Sequence, residues 1–291
     1  MSWRTVLISR RAKLDLKLNH LVLRRPNELV KIFLDEIAVL IIESTAVSIT
    51  AALLNECRKR KIKIIFCDEY HQPALECFPL YGSHDSSGCL KEQLSWSPLC
   101  VADVWASIIR EKIMRQAEVL KPHHQEGASL LLTYAEQIEP LDVTNREAHA
   151  GKVYFNRLFG AGFSRSDGSA INAALDYGYA LILAPCNREI VAAGYNTQLG
   201  LFHRNQFNPY NLGSDVMEPY RPLVDHLVKK FEPTEFLEKE RRTMLTIFDQ
   251  KVSIGGKKRY ILDSIRVYVH SIFRALRHED ISLLRFYRNE L

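Results

Sequence analysis

The sequence predicts an α+β protein with an N-terminal β-rich domain, a linker and a larger helical domain. Across residues 1–82, apolar and polar residues alternate in short runs, which is the period of a strand with one buried face. Across residues 99–291, apolar residues recur every three or four positions, which is the period of an amphipathic helix. Residues 83–98 separate the two patterns and begin in a turn-rich stretch, which is typical of a linker.

Short runs with alternating or β-branched residues predict the strands of the first domain. Asn19 and His20 separate two of these runs and are expected to form a hairpin turn. Residues 48–60 carry apolar side chains at helical spacing, and Ser48 is a suitable N-cap for that helix. The predicted strands cover residues 5–9, 13–18, 21–23, 30–34, 37–42, 63–66 and 75–78.

Apolar stripes of period near 3.6 predict the helices of the second domain. Residues 194–214 break this pattern with several glycines and asparagines, and His203 lies in the middle of them. Long irregular connections inside compact domains are uncommon and often functional. The predicted helices cover residues 101–120, 128–138, 145–159, 169–183, 216–231, 233–248 and 259–277.

Composition restricts the class of protein without defining it. The chain has 291 residues, 47% of them hydrophobic, and a net charge of +5, which permits a nucleic-acid partner without requiring one. The most apolar stretch, residues 37–42, is much shorter than the roughly 20 residues that span a bilayer, so we expect a cytoplasmic protein with no membrane partner. P-loop, Rossmann, nucleophile-elbow and H-E-x-x-H motifs are all missing from the sequence.

Glu147 allows a structural and a functional interpretation. Thr144 and Glu147 match a capping box, in which the carboxylate only satisfies a helix terminus. Ala150 and Gly151 fall on the same helical face as Glu147 and leave room for an ion and a phosphate. Both interpretations remain open at the level of this segment.

Glu218 lies on an acidic face of the predicted helix 216–231, together with Asp215 and Asp225. Such a stripe is usually a solvated surface, and Ser214 or Asp215 could cap the helix. Prolines near its start predict an irregular first turn. Taken alone, this segment does not distinguish a surface from a site.

Together, Glu147, His203 and Glu218 form a donor set of two carboxylates and one imidazole. This set suits Mg²⁺ or Mn²⁺, and the nitrogen donor favours Mn²⁺. A lone histidine is more often structural than a ligand, so the prediction depends on the three residues meeting in space. An ion held by them would support chemistry on phosphodiesters.

Four segments, in this order, resemble the CRISPR-associated spacer integrases, the catalytic subunits of the CRISPR adaptation complex. The resemblance covers nearly the whole chain, and the motif sequences are most similar to those of members from type II systems. At position 218 this chain has glutamate where other members have aspartate. The four segments are NREAHAGKVYF around Glu147, INAALDYGYALI at 171–182, GLFHRNQFN around His203 and LGSDVMEPYRPLVD around Glu218.

The resemblance implies a fold, an activity and partners. It implies a β-sandwich-like N-terminal domain for dimerisation and partner contacts, followed by an all-helical catalytic domain. The implied activity is attack by a DNA 3′-hydroxyl on a repeat phosphodiester, with nuclease activity in addition. Glu147, His203 and Glu218 would be the catalytic metal ligands, with Asp215 as an accessory acid. The implied partners are protospacer and repeat DNA, a second copy of the chain, a small ferredoxin-like adaptation subunit and other type II adaptation proteins.

Basic residues beside these motifs are candidates for phosphate contacts. Two alternative functions remain open at this point: a DNA-binding scaffold that lacks catalysis, and a nonspecific metal-dependent nuclease that never integrates. The candidate phosphate-binding residues are Lys152, Arg157, Arg204 and Arg221.

Overall fold

The computed structural model describes residues 4–71, 73–77 and 83–289. The chain divides into two compact units, the first comprising Met1–Ser86 with Val191–Gly194, and the second comprising Ser87–Ile190 with Tyr195–Leu291. Strands dominate the first unit and helices the second, which confirms the predicted α+β class.

Two four-stranded sheets and one helix form the first unit. The sheet orders are β1-β5-β7-β8 and β4-β3-β2-β6, and parallel and antiparallel pairs occur in both. In chain order the elements are β1 (Arg4–Ile8), β2 (Ala12–Lys17), β3 (His20–Arg25), β4 (Glu28–Phe33), β5 (Ile37–Ile42), β6 (Val47–Ile49), α1 (Ala51–Lys59), β7 (Lys63–Cys67) and β8 (Pro73–Cys77).

Both sheets of the first unit bury their apolar sides in one core. All six residues of β5 are buried, as expected for a central strand covered on both faces. Leu14 and Leu21 of one sheet, Leu40 and Ile64 of the other, and Leu53 of α1 belong to the same cluster. This arrangement agrees with the predicted sandwich-like domain.

The first unit corrects two local predictions. The turn between β2 and β3 uses Leu18 and Asn19, both with positive φ, as a two-residue hairpin requires, and His20 already belongs to β3. Ser48 does not cap α1, because it lies in β6 and Thr50 accepts the hydrogen bond from the Leu53 amide instead. The last residue of the predicted strand 75–78 lies outside the described residues.

The second part of the chain is mainly helical. The long helix α3 packs against α4, α5 and α8. In chain order the elements are α2 (Ser86–Leu94), α3 (Pro98–Leu120), α4 (Gln125–Glu136), α5 (Arg146–Phe159), α6 (Ala170–Ala192), α7 (Asn211–Met217), α8 (Arg221–Phe231), α9 (Glu238–Leu245), β9 (Lys251–Ile254), β10 (Lys257–Tyr260) and α10 (Ile261–His278).

The expectation of an all-helical second domain is wrong in one place. Strands β9 and β10 form an antiparallel hairpin, and Gly255 and Gly256 supply the two positive φ angles of its turn. The predicted helix 216–231 is also divided, since a 3₁₀ turn, Glu218–Tyr220, separates α7 from α8. This 3₁₀ turn agrees with the irregular turn that the prolines predict.

Residues 83–98 are not an irregular linker, because α2 occupies most of them. Gln93 of α2 is buried, and its side chain bonds to the backbone of Asn196 and Leu199. These polar contacts fix the helix although the segment is poor in apolar residues. None of the helices in the described ranges is both long and apolar enough to cross a lipid bilayer.

Candidate active site

Glu147 lies in the first turn of α5, and a different residue caps that helix. The Asp142 carboxylate accepts hydrogen bonds from the backbone amides of Arg146 and Glu147, each at 2.9 Å. Asn145 is the N-cap residue and makes no side-chain cap bond, so the capping box with Thr144 does not form. The structural interpretation of Glu147 is therefore wrong, and its carboxylate is available for another role.

Glu218 begins the 3₁₀ turn between α7 and α8 and is only 2% exposed. Two buried hydroxyls anchor this turn. Tyr287 donates a 2.9 Å hydrogen bond to the Pro219 carbonyl oxygen, and the Tyr220 hydroxyl lies 3.1 Å from that of Ser264. The turn thus holds the Glu218 carboxylate in a fixed, buried position.

Lys112 of α3 brings the two predicted glutamates together. Its Nζ lies 2.6 Å from Glu147 Oε1 and 2.6 Å from Glu218 Oε2. The contact with Glu147 is a directed hydrogen bond, whereas Glu218 Oε2 has only the ion-pair contact. Arg221 Nε lies 3.2 Å from the other oxygen of Glu218. Two carboxylates from separate elements therefore face one cation.

Mutual charge compensation holds this cluster in its ionised form. Burial opposes the charge on Lys112, but Glu218 and Glu147 outweigh that effect and raise the pKa of the ammonium. Burial likewise opposes ionisation of Glu218, but Arg221 and Lys112 together lower the pKa of this carboxyl. Lys112 and Glu218 are consequently both charged at neutral pH.

Asp215 shapes the loop that carries His203. Its fully buried carboxylate accepts hydrogen bonds from the backbone amides of Leu201, Phe202 and His203, at 2.6, 3.0 and 3.2 Å. His203 Nδ1 lies 2.5 Å from the same carboxylate. A Cβ atom at Gly200 would lie 2.4 Å from the His203 carbonyl oxygen, so this close turn requires glycine. Asp215 is therefore neither a helix cap nor a solvated acid.

The bond to Asp215 determines how His203 can act. With Nδ1 engaged, Nε2 is the nitrogen left for a ligand. The hydrogen bond that His203 donates to the Asp215 carboxylate raises the pKa of His203, and burial opposes this shift. The charges of Glu218 and Glu147 raise the same pKa further, so the imidazole lies in the field of the two glutamates. The indole of Trp105 packs edge-on against the imidazole, with ring centroids 5.9 Å apart.

The three predicted metal ligands are only partly brought together. Among residues 4–71, 73–77 and 83–289, no three His, Cys, Asp or Glu side chains lie close enough to hold an ion. Glu147 and Glu218 converge, but on Lys112, whose ammonium supplies the positive charge between them. His203 interacts electrostatically with both glutamates but is not a third member of a ligand group.

The expectation of a solvated acidic face is wrong for this helix pair. Asp215 and Asp225 are fully buried, like Glu218. Tyr179 donates a hydrogen bond to Asp225, and the Arg221 guanidinium lies 4.8 Å from the centre of the Tyr179 ring. The three acids lie on α7, the 3₁₀ turn and α8, and all of them are buried in the protein.

Lys152, Arg157 and Arg204 are exposed, and the Arg221 side chain is one-third exposed while it pairs with Glu218. Their phosphate contacts remain predictions. Lys112 and Asp142 are missing from the residues predicted by sequence. Lys112 carried one usable signal: it follows Ile108 and Ile109 at helical spacing, where a charged side chain interrupts an apolar stripe.

Solved structures define a class of proteins with this fold. A casposase bound to integration product aligns with a TM-score of 0.76 at 16% identity, covering 97% of this chain and 92% of that chain. A chain of a Cas6-RT-Cas1–Cas2 complex aligns with a TM-score of 0.74 at 16% identity, covering 99% of this chain and 36% of that chain. At such identities the likeness establishes the fold alone.

Sequence comparison identifies the family within this class. A CRISPR-associated endonuclease Cas1 of Neisseria meningitidis serogroup C (strain 8013) is 34% identical over 276 residues, which cover 87% of this chain and 91% of the relative. The sequence model of the family CRISPR associated protein Cas1 matches residues 5–246. The chain belongs to the Cas1 family, and the resemblance inferred from its motifs is confirmed.

Proposed function

We propose that this chain is a metal-dependent DNA integrase and endonuclease that inserts new spacers into a CRISPR array by 3′-hydroxyl attack on repeat phosphodiesters. Membership of the Cas1 family supports the proposal, since one relative is named an endonuclease and a protein of the same fold was solved with an integration product. The observation that carries it is the convergence of partly exposed Glu147 and buried Glu218 on a single cation, together with the electrostatic interaction of both glutamates with His203.

Glu147, Glu218 and Nε2 of His203 would hold Mg²⁺ or Mn²⁺. Their donors fit such an ion, because Glu218 Oε2 is buried without a directed hydrogen bond and a Cβ at Gly151, one turn from Glu147, would meet no atom within 4 Å. When bound, the ion would neutralise phosphate charge and favour ionisation of the attacking oxygen.

The remaining residues of the site would position the reactants. Asp215 orients the His203 ring and holds its loop through the backbone amides. Arg221 fixes one oxygen of Glu218 while a third of its side chain is exposed, and it would contact a DNA phosphate there. Exposed Lys152, Arg157 and Arg204 would hold the DNA backbone and contribute no sequence preference.

The proposed assembly is a homodimer that works in the cytoplasm on protospacer and repeat DNA. A small ferredoxin-like adaptation subunit and other type II adaptation proteins would complete it. One solved neighbour of the same fold belongs to a Cas1–Cas2 complex, which supports a partner of this kind.

Strand transfer tests the proposed function. The chain should join a protospacer duplex to a repeat-containing target with Mn²⁺ or Mg²⁺ and not with a chelator. His203→Ala should lower the rate by at least about a hundredfold, because it removes a proposed ligand. His278→Ala is the control, since His278 is exposed at the end of α10.

The DNA products separate the three candidate functions. Branched, joined DNA supports the integrase. Free ends without joined DNA would support the nonspecific nuclease, and DNA binding with neither product would support the scaffold. Full strand transfer by His203→Ala would remove His203 from the mechanism.

A further inference from the structure

Lys112 has no part in the proposed ligand set, yet it occupies the centre of the site. It lies on α3 between the fully buried Ile109 and Ile113, and its side chain is 11% exposed. Both of its short contacts are with proposed metal ligands, Glu147 and Glu218. The ammonium therefore stands where positive charge is needed between two carboxylates.

The three charges depend on one another. A buried ammonium without a partner is costly, and two carboxylates that face each other without a cation repel. The contacts of Lys112 with Glu147 and Glu218 remove both costs at once. Glu218 keeps a second partner, Arg221 at its other oxygen, whereas the Glu147 carboxylate bonds to Lys112. Loss of the ammonium would thus leave a site with excess negative charge.

We propose that Lys112 is a built-in placeholder cation, which holds Glu147 and Glu218 together in the metal-free protein and releases them when the divalent ion binds. The inference rests on the proposed function, because it takes the same two glutamates as metal ligands. Lys112 is a positioning residue in this scheme, since it acts through the carboxylates.

The chemistry of lysine suits this role. Its ammonium is a point charge on a flexible four-carbon stem, so it can leave the carboxylates without displacing α3. Arg221 continues to hold Glu218 Oε1 after the exchange, so that carboxylate keeps its orientation. The ion and the ammonium compete for the same oxygens, and Lys112 therefore weakens metal binding while it stabilises the metal-free protein.

Lys112→Met tests the proposal because it keeps the stem and removes the charge. We expect this variant to bind Mn²⁺ about tenfold more tightly than the unaltered chain in calorimetric titration, since a competing unit charge near the ion is gone. Its metal-free Tm should fall, and saturating Mn²⁺ should recover that loss. Lys121→Gln, at the exposed end of the same helix, should leave both quantities unchanged.

Two further variants separate the possible failures. Lys112→Arg keeps the charge, so it should bind Mn²⁺ no more tightly than the unaltered chain, and tighter binding would overturn the proposal. Equal or weaker Mn²⁺ binding by Lys112→Met would overturn it while leaving the metal site intact, provided that Glu218→Gln still abolishes binding. If the unaltered chain binds no Mn²⁺, the proposed metal site and the placeholder role both fail.

Discussion

Asp225 is a fully buried carboxyl group beneath the site, and its environment disfavours the charged form. Burial raises the pKa of Asp225 to about 6, although the hydrogen bond from Tyr179 and the charge of Arg221 oppose the shift. Because the folded-state pKa lies above the ordinary value, the protonated acid favours folding. That contribution is complete below about pH 4 and is lost as the pH rises through about 6.

Asp225→Asn should remove this pH dependence, because the amide cannot ionise and can still accept the Tyr179 hydrogen bond. Between pH 4 and pH 7.5, the free energy of unfolding of the variant relative to the unaltered chain should increase by on the order of 3 kcal/mol. Urea unfolding at the two pH values measures it. Asp176→Asn, an exposed acid on α6, serves as the control. An unchanged difference between the two pH values would mean that Asp225 has an ordinary pKa.

The residues of the site differ in how far the sequence could identify them. Glu147, His203 and Glu218 stand in motifs that can be read in order along the chain. For Asp215 the resemblance implies only an accessory acid, and its contacts with the amides of an irregular loop are visible only in the structure. Lys112 was missed because an isolated lysine on a helix normally reaches solvent, and only tertiary packing buries it.

The 3₁₀ turn that carries Glu218 depends on a segment near the end of the described chain. Tyr287 is 1% exposed, and its ring packs at a tilt against that of Tyr220 with centroids 4.8 Å apart. Its hydroxyl donates a hydrogen bond to the Pro219 carbonyl oxygen. The backbone of Arg288 pairs with Ser253 of β9, which fixes the segment in place. The position of Glu218 is therefore set by residues distant from it in sequence.

Tyr287→Phe should destabilise the protein by about 1 to 2 kcal/mol, because it removes one buried hydrogen bond and preserves the packing of the ring. Urea unfolding at neutral pH measures the change. Tyr70→Phe is the matched control, since Tyr70 is 76% exposed. Equal stability of Tyr287→Phe and the unaltered chain would show that the hydroxyl does not anchor the turn.

The sequence predicts a helix well where apolar residues keep the same spacing over several turns. Helix α3 is such a case: its apolar stripe places it within a few residues of its observed bounds. The hairpin of β9 and β10 was missed because each strand has four residues, too few for a period to emerge. The sequence predicts a linker where α2 lies, because polar contacts of Gln93, rather than a broad apolar face, hold this helix.

The chain forms a strand-rich unit and a helical unit, as the periods of its hydrophobic residues predict. Every residue assigned to the proposed chemistry lies in the second unit, including Lys112, Glu147, His203 and Glu218. Periodicity could predict the two units, since each period extends over many residues. It could not predict that the two glutamates meet on a lysine, because that contact joins three separate elements of the helical unit.

The central claim is that Glu147, His203 and Glu218 hold one divalent ion. Anomalous diffraction from crystals of the full chain grown with Mn²⁺ tests it most directly. The account predicts one strong peak about 2 Å from an oxygen of each glutamate and from Nε2 of His203. A peak at this site that leaves out His203 or either glutamate, or saturating Mn²⁺ with no peak between them, would contradict it.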